Sequence, residues 1–213
     1  MPLYQFFAKG GIMMIPLILC SFLAVVILVE RLIALRKIRI NSRTFVLQVK
    51  NLLLRNRIDE AIALSKQTPG PIAAITKAGL VKHTKPREEI KDSIESAART
   101  QIFHLEKNLG ILGTVAAIAP LIGFLGTVTG MIKAFMEIQL RGGNVDAGVL
   151  AGGIWEALIT TAFGLSIGIP ALIFYNWLLG KVEFHVQEMR ESSGELLDML
   201  LEKEDQDEHR SLT

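Results

Sequence analysis

Three stretches of this sequence carry no charged side chain: Ile12–Val29, Leu109–Ile132 and Ala157–Gly180. Each is long enough to cross the hydrocarbon core of a bilayer as a helix, which takes about 18–20 residues. In lipid a segment must satisfy its own backbone N–H and C=O groups, so an isolated stretch of this kind is helical. The expected fold is an all-α membrane protein with three transmembrane helices. The composition agrees. Half of the 213 residues are hydrophobic (50%), and the mean hydropathy is +0.40, high for a soluble domain of this size.

Charge placement predicts the topology. Of the 23 Lys and Arg residues, 16 lie from Arg31 to Lys107. Lys9 alone precedes the first span, Lys133 and Arg141 separate the second and third, and four follow the third. Short segments rich in Lys and Arg stay on the cytoplasmic side. The 31–107 segment and the C-terminus are therefore expected inside, and the N-terminus and the 134–150 loop outside. The first span is expected to be retained: only Lys9 precedes it, no small-x-small cleavage site follows, and Glu30-Arg31 end it abruptly. One cysteine, Cys20, excludes an internal disulfide and a CxxC metal site. It reads as a lipid-facing or packed thiol.

The resulting division is a terminal segment over 1–11 with interfacial aromatics Tyr4, Phe6 and Phe7, a first span over 12–30, and a helical domain over 31–107. A second span over 108–133, a loop over 134–150, a third span over 151–180 and a C-terminal helix and tail over 181–213 complete it. Within 43–82, Phe45, Val46, Val49, Leu52 and Leu53 recur at helical spacing, as do Ile58, Ala61, Ile62 and Leu64. Thr68-Pro69-Gly70-Pro71 separates the latter run from a further helix. Thr84-Lys85-Pro86 followed by Arg87-Glu88-Glu89 marks a helix start, with Thr84 as cap. From Ile90 through Leu105 the pattern is expected to lead into the second span without a break. Val182, Val186, Met189, Ser193, Leu196 and Leu200 step by three and four, the period of a packed seam. The tail beyond Glu202 is polar and expected to fray.

The residues that stand out lie in the second and third spans. Ala116, Ala119, Gly123, Gly126, Thr127 and Gly130 form a small-residue face, and small residues let helices approach closely in lipid. Packing is their simplest role, and Thr127 can satisfy its hydroxyl on a carbonyl one turn back. Pro120 and Pro170 each fall within a span and free a backbone carbonyl, compatible with a packed kink or with a pore. In the third span Gly153, Glu156, Thr160, Gly164, Ile167 and Ala171 share a face, flanked by Thr161. Glu156 is the sole charge between Ala147 and Gly180. A carboxylate at the bilayer centre costs roughly 2.5 kcal/mol or more. Trp155 and Trp177 are about 33 Å apart along a helix, close to the hydrocarbon thickness, so Glu156 lies near the outer boundary. Two readings stay open for it: an interfacial acid that snorkels, or a member of a polar path shared with Thr160 and Thr161.

Soluble chemistry finds no footing. The chain has no GxxxxGK[ST], GxSxG or HExxH pattern, and its four histidines, His83, His104, His185 and His209, are scattered. No metal or cofactor is expected. The net charge of +2 implies no nucleic-acid partner, and the run Arg31, Arg36, Lys37, Arg39 and Arg43 reads as a topogenic patch facing lipid headgroups.

The stretch Ala119-Pro120-Leu121-Ile122-Gly123-Phe124-Leu125-Gly126-Thr127-Val128, with Gly130-Met131-Ile132, resembles the second-helix motif of the MotA/TolQ/ExbB proton-channel family. Gly153-Ile154-Trp155-Glu156-Ala157-Leu158-Ile159-Thr160-Thr161-Ala162-Phe163-Gly164-Leu165, followed by Ile169-Pro170 and Tyr175-Asn176, is similar to its third-helix motif. The three-span layout resembles the TolQ/ExbB branch rather than the four-span flagellar stator. The resemblance implies a bacterial inner-membrane homo-pentamer around a single-span partner of the ExbD or TolR type, whose helix carries a proton-accepting aspartate. It implies a periplasmic N-terminus and cytoplasmic helical extensions. Thr127 and Thr161 match the family's pore-lining threonines and Glu156 its third-helix glutamate. The implied function is not enzymatic: ion-motive force moves the inner helices and so works a periplasm-spanning protein such as TonB or TolA. A stand-alone passive channel and a non-conducting scaffold are the competing readings.

Overall fold

The computed structural model describes residues 11–37, 42–140 and 147–211. The expected interfacial segment over 2–10 lies outside them, as does the centre of the 134–150 loop. The described chain is helical throughout: α1 (Met14–Lys37), α2 (Ser42–Leu54), α3 (Ile58–Gln67), α4 (Pro71–Val81), α5 (Arg87–Glu106), α6 (Leu109–Leu140) and α7 (Ala147–Ser211). Three stretches, in α1, α5–α6 and α7, are long and apolar enough to cross a membrane. The described residues fall into two compact units, one from Met1–Glu30 with Asn108–Leu179 and the other from Arg31–Lys107 with Gly180–Thr213.

In the first unit α6 and α7 pack antiparallel along a seam of small residues. A methyl group added to Gly123 would stand 2.9 Å from the Thr160 carbonyl oxygen and 3.2 Å from the Gly164 Cα. On Gly164 it would stand 2.6 Å from the Ala119 carbonyl oxygen, and on Gly130 it would stand 3.0 Å from the Ala157 Cβ. On Gly126 it would fall on the Thr160 side chain, and on Gly153 it would stand 2.6 Å from the Ala134 Cβ. The seam continues to Gly168 against the Pro120 ring and Gly113 against the Tyr175 ring. At Gly123, Gly130 and Gly164 the two backbones approach directly, the packing available to helices in lipid. Helix α1 joins them through Met14 and Leu17, buried with Ala119 and Ile159; Cys20 packs half-buried against this cluster. Only 17% of the apolar window of α1 and 33% of each of the other two is buried within the chain. Ile15, Phe22, Leu121, Phe124 and Ile173 all face outward.

The second unit is a bundle with a conventional core. Phe45, Val49 and Leu53 of α2 recur every fourth residue and are buried, as are Ile72, Ile75 and Leu80 of α4, Ile90 and Ile94 of α5, and Val182, Met189 and Leu196 of α7. A methyl group on Gly79 would meet Ile94 at 2.9 Å and Leu196 at 3.2 Å, so α4 is wedged between α5 and α7. Asn56 ends α2 in the left-handed region (φ 60°). Its N–H donates to Leu53 O (3.0 Å) and that of Arg57 to Leu52 O (2.9 Å). This is a Schellman turn with asparagine in the place that glycine usually holds.

Three local expectations are corrected. The helix from Ile90 does stop before the second span: Lys107 leaves the helical region (ψ 136°) and Asn108 turns left-handed (φ 63°), a conformation asparagine tolerates better than most residues. Thr84 does not cap α5; Pro86 occupies the cap position with no side-chain bond. Helix α6 continues to Leu140, beyond the expected span, because Lys133–Leu140 contains no glycine or proline. Helix α7 runs to Ser211, where the polar tail was expected to fray. Pro120 and Pro170 both lie inside helices that continue through them.

Candidate functional site

The four polar residues singled out in the sequence occupy different environments within the first unit. Thr160 is in the seam. Its side chain is 1% exposed, and its hydroxyl donates to Ala157 O at 2.8 Å. It packs against Gly126 and its proton is spent on its own helix.

Thr161 reaches across the seam: its half-buried hydroxyl donates to Gly123 O on α6 at 2.9 Å. An interhelical bond of this kind in a membrane is worth about 0.6 kcal/mol on average and up to ~2. That carbonyl belongs to the residue three before Gly126, where Thr160 docks. Thr127 stands off the seam on the half-exposed side of α6, donating to Phe124 O of its own helix at 2.6 Å. The sequence grouped Thr127 with the glycines of the small face; the structure separates it from them.

Both Thr127 and Thr161 therefore have their protons committed to backbone carbonyls and present lone pairs outward. A hydroxyl in this state accepts a hydrogen bond but offers none. It suits a protonated carboxyl, which donates, better than a carboxylate, which needs donors.

Glu156 is not alone. Lys133 Nζ of α6 lies 2.9 Å from its Oε1, with the lysine side chain 58% exposed and the glutamate 28%. Gly11, with φ +64°, presses its Cα against the same carboxylate, leaving no room there for a Cβ. The acid is thus held at one end of the α6–α7 pair between a cation and a glycine. Trp155 and Trp177 are both exposed (44% and 49%), as anchors facing lipid would be. Pro120 contacts Gly168 across the seam, while Pro170 edges a groove of about 160 Å³ with Ser21 and Phe174. Among the described residues no three His, Cys, Asp or Glu side chains converge as a metal site would require.

Sequence reading missed Lys133 and Gly11. The signal for Lys133 was present: it is the first charge after the second uncharged stretch, and Glu156 is the last before the third. Antiparallel helices joined by a short connection put those two positions at the same level. Nothing in the sequence marks Gly11.

Taken together, fold and site define a multi-pass membrane protein whose second and third spans are closely paired and whose Glu156, at the edge of the third uncharged stretch, is ion-paired with Lys133. Residues 67–191, more than half of the chain, match the MotA/TolQ/ExbB proton channel family. The chain belongs to that family, in its ExbB/TolQ branch. It is 32% identical over 176 residues to the ExbB-like 1 biopolymer transport protein of Synechocystis sp., covering 81% of this chain and 69% of that one. It is 29% identical over 184 residues to the biopolymer transport protein exbB1 of Vibrio cholerae (80% and 76%). It is 36% identical over 102 residues to the Tol-Pal system protein TolQ of Haemophilus influenzae (48% and 39%).

Proposed function

We propose that this chain is the channel-forming stator subunit of a proton-driven motor in a bacterial inner membrane. Five copies surround a single-span partner of the ExbD or TolR type, and ion-motive force is passed to a periplasm-spanning protein of the TonB or TolA type. The N-terminus is periplasmic, and the helices beyond the spans are cytoplasmic. Thr161 and Thr127 line the path, and Glu156 stands at its outer mouth.

One observation carries this reading over the stand-alone channel. The uncharged stretches of α6 and α7 hold hydroxyls that accept but hold no carboxylate, and the acid at their edge is neutralised by Lys133. A proton crossing here needs an ionisable group from another chain. The partner's aspartate, protonated between accepting threonines, fits that need. The outward-facing apolar surface of α6 and α7 supports lateral association of copies, with lipid covering the rest.

The scaffold reading draws on the same threonines: Thr160 and Thr161 bond only to backbone carbonyls among the described residues, as packing residues do. Proton flux in liposomes separates the readings. Flux only when the single-span partner is co-reconstituted supports the stator; flux from this chain alone supports the passive channel; no flux in either case supports the scaffold. Native mass spectrometry in mild detergent tests the pentamer, and monomer or dimer alone would count against it.

A further inference from the structure

The second unit contains a cavity of about 550 Å³ whose wall has basic side chains and, among the described residues, no acidic one. Arg31, Lys66, Lys77 and His104 line it, with Gln101 and the Gly70-Pro71 start of α4. Arg31 is 5% exposed, and its guanidinium donates to His104 O at 3.1 Å and Leu105 O at 3.3 Å, the carbonyls that end α5. The arginine is therefore a fixed part of the wall. A charge this deeply buried, held by the end of a helix, is a built feature rather than a solvated surface group.

Some cations of the unit are engaged in ion pairs. Arg57 pairs with Glu60, Lys82 with Glu89, and Lys91 and Arg99 both with Glu95. Lys66 and Lys77 have no ion pair among the described residues, and both point to the same space. The α4 N-terminus opens there as well. Gly70 caps it without a side chain, and Ala74 is the first residue to bond back, to Gly70 O at 3.2 Å. Gly70 and Pro71, at the positive end of the helix dipole, are part of the cavity wall. Two unpaired ammonium groups, a buried guanidinium and a helix N-terminus around one space make an electrostatic well for an anion.

We propose that this cavity binds a phosphate-bearing anion, with Lys66 and Lys77 as its direct ligands. The volume exceeds what a bare phosphate fills and lies within the range of small-molecule sites. Arg31 stands two residues past Val29, the last residue of the first uncharged stretch. The same chemistry is offered by the phosphodiester of an anionic phospholipid and by a soluble phosphate, and the experiment distinguishes them.

Full-length protein in neutral detergent is titrated with phosphatidylglycerol, with phosphatidylcholine and with inorganic phosphate. Lipid binding is read by native mass spectrometry and phosphate binding by calorimetry. We compare a Lys66→Gln/Lys77→Gln variant with a Lys50→Gln/Arg55→Gln control of equal net charge; all four side chains are exposed, so neither pair should unfold the bundle. Phosphatidylglycerol is expected to bind at least tenfold tighter than phosphatidylcholine, with the preference lost in the first variant and kept in the control. Phosphate binding with the same dependence on Lys66 and Lys77, and no lipid preference, upholds the site with a soluble occupant. Equal binding by both variants, or neither a lipid preference nor phosphate binding in the native chain, overturns it.

Discussion

Where α6 meets α7, most of the residues in contact are Gly, Ala and Thr; where α4 meets α5 and α7, a single glycine lies against Ile94 and Leu196. The two regions are built by one chain under two solvents. In water, removing apolar surface contributes roughly 25 cal/mol per Å², so large side chains are what stabilise a bundle. In lipid the surroundings are as apolar as leucine, and burying a large side chain gains little. Close approach gains more, through dispersion and through bonds such as Thr161 to Gly123 O. Along the α6–α7 seam small residues accordingly lie inside while Leu121, Phe124 and Ile173 face outward, whereas Ile75, Leu80, Ile90 and Met189 form the core of the second unit.

The sharpest way to break this comparison is to enlarge a seam residue. Gly123→Leu places a side chain where the α7 backbone already stands at 2.9 to 3.2 Å. We expect it to abolish accumulation of folded protein, read by fluorescence-detected size exclusion after membrane extraction. A normal peak would mean that the seam is loose. In the bundle the sensitive direction is the opposite one. Leu80 is fully buried, and Leu80→Ala should cost about 2–5 kcal/mol, seen as a lowered thermal midpoint, whereas Leu80→Met should cost less than about 1.5 kcal/mol.

Between packing and function stand the threonines. Thr161→Val keeps the volume and removes the hydroxyl. We expect assembly to survive and partner-dependent proton flux to fall by about tenfold or more, the worth of one hydrogen bond to an ionisable group. Thr127→Val should do the same to a lesser degree, since Thr127 lies off the seam. Flux at the native level in both variants would reduce these threonines to packing residues.

The smallest effect on stability should come from the ion pair. Lys133 is more than half exposed, and such pairs contribute between nothing and ~1 kcal/mol. Its effect on flux should be larger: Glu156→Gln should reduce it sharply with the oligomer intact, and Glu156→Asp should retain part. If the pair acts as a unit, Lys133→Gln combined with Glu156→Gln should be no worse than either alone. Silent single variants would leave Glu156 as an interfacial acid without a role in the path.

Most of the architecture was legible because it rests on composition over long windows. The three uncharged stretches, the breaks at Thr68–Pro71 and the buried set Val182, Met189 and Leu196 follow from periodicity and helix-breaking residues. The glycines of the α6–α7 face were legible for the same reason. What the sequence hid are features decided by single backbone angles or by contacts across the fold. Asn108 breaks the α5–α6 run at one φ value, and asparagine is compatible with a helix as well. Thr127 has the spacing of the small face but is half-exposed and bonds to its own helix, because spacing at 100° per residue cannot rank neighbours about 40° apart. Lys133 lies just beyond the second uncharged stretch, and its position relative to Glu156 follows from antiparallel pairing rather than from local sequence.

The close approach of α6 and α7 also bears on how this chain can drift. Glycine has no smaller neighbour, so every change at Gly123, Gly126 or Gly164 adds volume where none is free. Leucine, isoleucine, valine and methionine at Leu80, Ile90 or Met189 can trade places at modest cost. Random change is thus filtered far more severely along the seam than in the bundle. Over long times the bundle is free to diverge in sequence while the seam is held nearly still. A saturation library scored for surface accumulation should therefore show two rates of tolerance in one polypeptide, with the boundary falling where the solvent changes.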